Sequence, residues 1–334
     1  MNVIFHPKYL EHKQRGTHPE SPDRVVSVFN RLEDEELVED IIVPETVKRE
    51  VLETTHGDEY LRMLENNFGQ YIDGGDTYLD EGTYEIAKLA VGGALEGVQR
   101  AVKGERTMAL LRPPGHHAGK DYGGGFCYLN NAAIASNVVG VNRVAIIDLD
   151  AHHGNGTSDI FYSDPNVLYV SAHHHGIYPG TGEALAVGEG PGEGYNVNIP
   201  FRTGRGDSSL ELAWDEVIEP ILLQYDPKLI IVSFGTDGHY TDMMTGLTYS
   251  SQCYIRMAER IIQLSEDICD GAVSFMLEGG YHLRSISEIV AGMIGSECGK
   301  EISLEYTKVS DKKQNGKEEV FETKQAMEKY WELS

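Results

Sequence analysis

The sequence predicts an α/β fold, with a mostly parallel central sheet between layers of helices. Three observations carry that reading: short apolar runs recur along the chain, helical stretches separate them, and each run ends in a polar cluster rich in Gly, His or Asp. Continuous apolar runs fit strands buried on both faces, and their alternation with helices fits βαβ units. Ligands of open parallel sheets gather beyond the carboxyl ends of the strands, so the polar clusters are expected to share one crevice.

The elements follow in order. Val3-Ile4-Phe5 reads as a first short strand. Met108-Ala109-Leu110-Leu111 leads into Arg112-Pro113-Pro114-Gly115-His116-His117, and Val144-Ala145-Ile146-Ile147 into Asp148-Leu149-Asp150-Ala151-His152-His153-Gly154. Val167-Leu168-Tyr169-Val170 leads into Ser171-Ala172-His173-His174-His175. Leu229-Ile230-Ile231-Val232 precedes Ser233-Phe234-Gly235-Thr236-Asp237, and Val273-Ser274-Phe275-Met276-Leu277 precedes Glu278-Gly279-Gly280-Tyr281-His282. Helices are expected over 82–103, 208–224 and 250–268. The first is rich in small residues (Ala87, Ala90, Gly93, Ala94, Gly97) that permit close packing on a sheet. The segment 70–82 reads as a loop shaping the rim of the crevice, with Asp76 a candidate for holding substrate backbone. After about residue 300, Lys and Glu alternate, Gln314-Asn315-Gly316 reads as a turn, and Trp331 points to a docked, solvated terminal helix. The expectation is one domain over 1–334.

Composition narrows the function. With 334 residues, 40% hydrophobic and 24% charged, the chain can bury a substantial core. No run approaches the roughly 18 apolar residues of a membrane helix, and the start of the chain lacks the pattern of a signal peptide. A cytoplasmic protein without membrane contact is the expectation. A net charge of −25 argues against direct nucleic-acid binding. It fits either steering of a cationic substrate or a surface adapted for solubility. Cys127, Cys253, Cys269 and Cys298 are far apart and read as reduced, mostly buried residues. Nothing fixes an oligomeric state, and a homo-oligomer stays open.

Asp150 and His152 stand two apart at an apparent strand end, and period-two geometry puts both on one face, with Asp148 one step earlier. Asp237, ending another strand, is the natural third ligand. Two carboxylates and one imidazole balance a divalent charge and leave a position for water and substrate, as a catalytic zinc site requires. Fe(II), Co(II) or Mn(II) suit the same donors. A single Asp-x-His is more often a polar strand end, and it is the further clusters at equivalent positions that favour a metal. His173-His174-His175 reads as a loop beside the site, because consecutive residues cannot all face one point.

Several segments then resemble a known family. They are His18-Pro19-Glu20-Ser21-Pro22-Asp23-Arg24, Arg112-Pro113-Pro114-Gly115-His116-His117-Ala118, Gly123-Gly124-Gly125-Phe126-Cys127-Tyr128-Leu129-Asn130-Asn131, the stretch from Asp148 to Thr157, and Leu277-Glu278-Gly279-Gly280-Tyr281. They are similar, in order, to the signature segments of histone deacetylases and acetylpolyamine amidohydrolases. The resemblance implies the arginase-like three-layer α/β/α fold with a sheet of about eight strands. It implies Asp150, His152 and Asp237 as zinc ligands, His116 and His117 as tandem histidines beside the water, and Tyr281 as donor to the scissile carbonyl. Gly125 and Phe126 would line an acyl-lysine tunnel, with Tyr178 the facing wall and Met244 near the rim. A structural potassium ion would be held by the segment with Asp148, Asp150, His152 and Ser171. Two departures stand out: Asn155, as in class II-type deacetylases, makes the partner of His117 neutral, and Asp242-Met243-Met244 replaces the more usual Asp-Pro-Leu without an acidic gatekeeper.

The activity so implied is hydrolysis of an acetyl amide, on a lysine side chain of a protein or on a small acetylated amine. His117 would act as base, His116 paired with Asp148 as the charged partner, and Tyr281 as oxyanion donor. Cys127 reads as a packing residue. An arginase-like two-manganese hydrolase would leave His116-His117 unexplained. An inactive acetyl-lysine binding module would not need the full set of ligands, histidines and Tyr281. A serine-hydrolase elbow and a Walker loop are both missing from the sequence.

Overall fold

Eight parallel strands lie in the order β2-β1-β5-β10-β9-β6-β7-β8 in the computed structural model, which describes residues 1–38, 40–307 and 316–333. The strands are β1 (Asn2–Ile4), β2 (Ile41–Ile42), β5 (Thr107–Ala109), β6 (Val144–Asp148), β7 (Val167–His174), β8 (Asn196–Phe201), β9 (Leu229–Phe234) and β10 (Val273–Leu277). β3 (Gln70–Tyr71) and β4 (Tyr78–Leu79) form a separate antiparallel ribbon, so the 70–82 segment is a hairpin rather than an open loop. The five interior strands with the clearest apolar runs are buried along their whole length, as strands covered on both faces must be.

The helix Thr83–Ala101 packs against β1, β5, β9 and β10, and its small residues are what permit the approach. A Cβ on Gly97 would fall 2.6 Å from Ser274 Oγ, and one on Gly93 2.7 Å from Leu111 Cδ2. The expected helix over 250–268 is Ser251–Cys269. The expected helix over 208–224 is interrupted: Asp207–Ala213 runs through a wider π turn, Trp214–Ile218, into Glu219–Tyr225. Pro220, which has no N–H to give the preceding turn, stands at the restart.

β7 runs on to His174, beyond the apolar run that announces it, because β8 pairs with it as far as His174 opposite Phe201. His173 and His174 are therefore strand residues, and only His175 lies in the following turn. β8 alternates Asn and apolar residues and carries Pro200, which an edge strand tolerates. The C-terminal helix Lys317–Met327 covers that edge: Thr323 Oγ1 donates to the Asn198 carbonyl at 2.8 Å, and Trp331 Nε1 to that of Gly194 at 2.7 Å. Gln314 and Asn315 of the expected turn lie outside the described residues. Cys127, Cys253 and Cys269 are buried, Cys298 is exposed, and all four are unpaired. Among the described residues no helix is long and apolar enough to cross a membrane.

Behind the crevice, buried His56 ties two loops together. Its Nδ1–H donates to the Gly119 carbonyl at 2.8 Å, and its Nε2 accepts from the Asn130 N–H at 3.0 Å. Only the neutral ring satisfies both, and burial pushes it down to about 4. The unfolded chain takes a proton near its ordinary 6.5 while the folded chain refuses it to about 4. His56 therefore lowers stability as pH falls from 6.5 toward 4, and costs nothing above that window. Urea midpoints should drop across this range, by on the order of 3 kcal/mol from this group at most. His56→Gln should flatten the slope, and an unchanged slope would refute the assignment.

Candidate metal centre and active site

β6 stops at Asp148, and the chain turns through 149–154 before a helix starts at Asn155. Strand periodicity therefore does not carry Asp150 and His152 onto one face. Carboxylates build the turn instead. The Asp150 N–H donates to Asp148 Oδ1 at 3.1 Å, the His152 N–H to Asp150 Oδ1 at 2.9 Å, and the Ala151 N–H to Asp237 Oδ1 at 2.8 Å. Side-chain oxygens thus replace the ladder partners that a strand would have supplied.

Asp237, three residues past the end of β9, meets this turn. His152 Nδ1 lies 2.7 Å from Asp237 Oδ2 and 3.2 Å from Asp150 Oδ1. One ligand atom from each of Asp150, His152 and Asp237 lies within 4.8 Å of the others, and all three residues are buried. Backbone closes in around them: the Gly279 N–H donates to Asp150 Oδ2 at 2.8 Å, and a Cβ on Gly279 or Gly235 would fall 2.6 or 2.1 Å from that oxygen. Burial and the neighbouring Asp150 charge push Asp237 up to about 6. Two buried carboxylates sharing one imidazole are short of positive charge, and an N/O donor set of this size fits a divalent cation.

His116, Cys127 and Glu278 converge as a second group. Burial pushes the Cys127 thiol up, so it supplies no thiolate. Burial also raises Glu278 to about 7. Its Oε2 accepts from the Gly115 and His116 N–H groups at 2.7 and 3.2 Å, bracing the turn that carries the histidines.

The tandem histidines stand with ring centres 4.0 Å apart and opposite electrostatics. His116 Nδ1 donates to Asp148 Oδ2 at 3.0 Å, and Tyr169 donates to the same oxygen. Against the effect of burial, Asp148 and Asp150 hold His116 up at about 10, so it is charged at neutral pH. His117 Nδ1 meets Asn155 Oδ1 at 2.8 Å. Burial and the positive ring of His116 push His117 well below its ordinary value, so it stays neutral.

An apolar wall stands over this group. Phe126 has φ +70° and donates its N–H to Thr77 Oγ1 at 2.9 Å. Tyr178 meets the His117 ring edge-on at 4.9 Å, and a Cβ on Gly125 would strike both His117 and Tyr178. Tyr281 lies edge-on to Phe126, centres 5.9 Å apart. Its N–H donates to Asp242 Oδ2 at 2.7 Å, the Arg24 guanidinium lies 5.0 Å from its ring centre, and burial raises its hydroxyl so that it keeps its proton. Asp148, Asp150, His152, Asp237, His116, His117, Asn155, Gly125, Phe126, Tyr178 and Tyr281 thus form one continuous cluster.

Met244 and Asp76 lie outside it, on flanking loops. Met244, partly exposed beside the fully exposed Met243, donates its N–H to Asp242 Oδ1 at 3.0 Å. Asp76 accepts from the Thr77 hydroxyl at 3.0 Å, and burial together with Asp73 pushes it up to about 6. Asp73 is the hub of the hairpin, its Oδ1 accepting from the N–H groups of Gly75, Asp76 and Thr77. His173 is held by Ser171 Oγ and the Gly182 carbonyl, and His174 by Thr203 Oγ1. Tyr169, Tyr122 and Asp159 contribute to the site without any pattern in the sequence to single them out.

Comparison with known proteins identifies the family. Residues 18–296 match the histone deacetylase domain. A probable deacetylase of Archaeoglobus fulgidus is 40% identical over 314 residues, covering 90% of this chain and 87% of its own. The chloroplastic histone deacetylase 10 of Oryza sativa subsp. japonica is 36% identical over 313 residues, covering 86% and 71%. The crystal structure of the HDA15 HD domain matches with a TM-score of 0.88 at 32% identity, over 99% of this chain and 97% of that one. The chain therefore belongs to the histone deacetylase family, with its arginase-like α/β fold, and is a hydrolytic deacetylase.

Proposed function

We propose that this deacetylase removes acetyl groups from lysine side chains with one zinc ion held by Asp150, His152 and Asp237. The observation that carries the reading is the convergence of these three buried ligands beside one charged and one neutral histidine. When bound, the ion supplies Lewis-acid polarisation of the acyl oxygen and acidifies water. Iron(II) suits the same donors. The family's potassium ion belongs, on the same reading, to the segment with Asp148, Asp150, His152 and Ser171, where Ser171 pairs with Asp148 across β6 and β7.

The protein's own groups carry the proton traffic. His117, neutral and held through Nδ1, takes a proton from water on Nε2 as the oxygen attacks the acyl carbon. Tyr281 donates to the developing oxyanion, and the positive His116 stabilises the same charge. The C–N bond then breaks, His117 returns its proton to the amine, and acetate remains. Phe126 and Tyr178 flank an apolar passage suited to the methylene stem of lysine. The second reading, an acetylated polyamine, draws on the acidic Asp73–Asp76 pair near Tyr178, which suits a second positive charge.

Two outcomes are expected. Adding zinc to chelator-stripped protein should stabilise it by about 2.7 kcal/mol at roughly 100 times Kd, and Asp237→Ala should abolish that thermal shift. A shift that survives in the variant would rule out this ligand set. On an acetyl-lysine peptide, Tyr281→Phe should lower kcat by about 10²–10³-fold, and full turnover would remove Tyr281 from the chemistry. Running an acetylated polyamine in parallel separates the two substrates: a higher kcat/KM for the polyamine overturns the lysine assignment.

A further inference from the structure

His117 is held by Asn155, and Asn155 is held in turn. Asn155 Nδ2 donates to the Tyr122 hydroxyl oxygen at 3.1 Å, and that hydroxyl donates to Asp159 Oδ2. Asn155 and Asp159 lie one turn apart on the helix Asn155–Phe161, so they share a face, and Tyr122 bridges them from the 119–125 loop. The Tyr122 ring packs against Gly119, where a Cβ would fall 2.3 Å from Cε1. The Gly119 carbonyl is itself fixed by His56 at 2.8 Å. The phenol is thus anchored to the core although its edge reaches solvent.

The chain of donors has one direction. A carboxylate can only accept, so Asp159 makes the Tyr122 hydroxyl its donor. The phenol oxygen is then left to accept, which draws the NH₂ end of Asn155 toward it and turns the amide oxygen to His117. That oxygen can only accept, so His117 carries its proton on Nδ1 and presents a bare Nε2 to the reaction. The direction matters because the partner is an amide. Its two ends are nearly alike in shape, and only hydrogen bonds decide which faces His117. A flipped amide would put an N–H against Nδ1, move the ring proton to Nε2 and remove the base. An aspartate at 155 would accept in either orientation and need no such guard.

We propose that Tyr122 and Asp159 are positioning residues that lock the Asn155 amide with its oxygen toward His117, and so fix His117 in the Nδ1–H tautomer. The proposal rests on the reading of His117 as general base, but its main readout does not. In the zinc-loaded full chain with ¹⁵N-labelled histidine, the His117 ring, identified by its loss in His117→Ala, should show the Nδ1–H form alone. Tyr122→Phe and Asp159→Leu should each produce a mixture with the Nε2–H form. Each should lower kcat about tenfold with KM little changed. In an Asn155→Asp background the same two substitutions should leave tautomer and kcat within about twofold. An unaltered Nδ1–H signal in Tyr122→Phe overturns the proposal, and so does an equal loss in both backgrounds, which is the mark of a purely structural role. A tautomer shift with unchanged turnover upholds the relay and instead refutes His117 as the base.

Discussion

Four carboxyl groups, Asp148, Asp150, Asp237 and Glu278, sit at the ends of three adjacent strands with at most 1% of their surface exposed. Burying charge this way costs several kcal/mol per group unless partners are close at hand, and much of the local structure is those partners. Backbone N–H groups of residues 115, 116, 150, 151, 152 and 279 are turned inward to the carboxylates. Past the end of β6 the donors of residues 150, 151 and 152 are committed to side chains rather than to the ladder. What the backbone leaves unbalanced is positive charge, and His116 and a divalent ion at Asp150, His152 and Asp237 are its two natural sources.

The same constraint separates two adjacent, chemically identical side chains. His116 faces Asp148, while His117 faces the neutral Asn155 with the positive ring of His116 beside it. One is held charged and the other neutral, which divides electrostatic stabilisation from proton transfer without changing residue type. Were residue 155 an acid, that separation would narrow, because a carboxylate would pull His117 back toward the charged form. Asn155 keeps the separation wide, and its amide then has to be oriented by something else.

The parts of this arrangement that follow from period and burial were legible in the sequence. The apolar runs of β6, β7, β9 and β10 and the close-packing residues of the helix Thr83–Ala101 follow from them, and the polar clusters at the strand ends single out Asp150, His152 and Asp237. Side-chain-capped turns, rather than the strand alternation that their spacing suggests, bring Asp150 and His152 together. Pairing decided what pattern could not: β7 continues through His173 and His174 because β8 runs beside it, and 70–79 closes into a ribbon around Asp73. Tyr122, Asp159 and Tyr169 were invisible because their partners lie in other stretches of chain, and no local spacing encodes such contacts.

Arg24 is the clearest case of long-range support. It is fully buried near the start of the helix Asp23–Asp34, donates to the carbonyls of Glu278 and Gly280, and lies beneath the Tyr281 ring. Glu20 binds it at 3.3 Å and binds Arg112 at 2.6 Å, and Arg112 opens the loop that carries His116 and His117. Against the effect of burial, Arg112 holds Glu20 below the ordinary carboxylate range, so the network stays ionic. Three stretches, 92 to 256 residues apart where these contacts join them, are therefore fastened by one buried carboxylate between two guanidinium groups. Removing either arginine would leave the buried carbonyls it serves without donors and free the loop of Tyr281 from the loop of the histidines. The segment 18–24 thus belongs to the active site although none of its side chains carries the chemistry. That is a physical reason for the family resemblance to begin at residue 18 rather than at the first metal ligand.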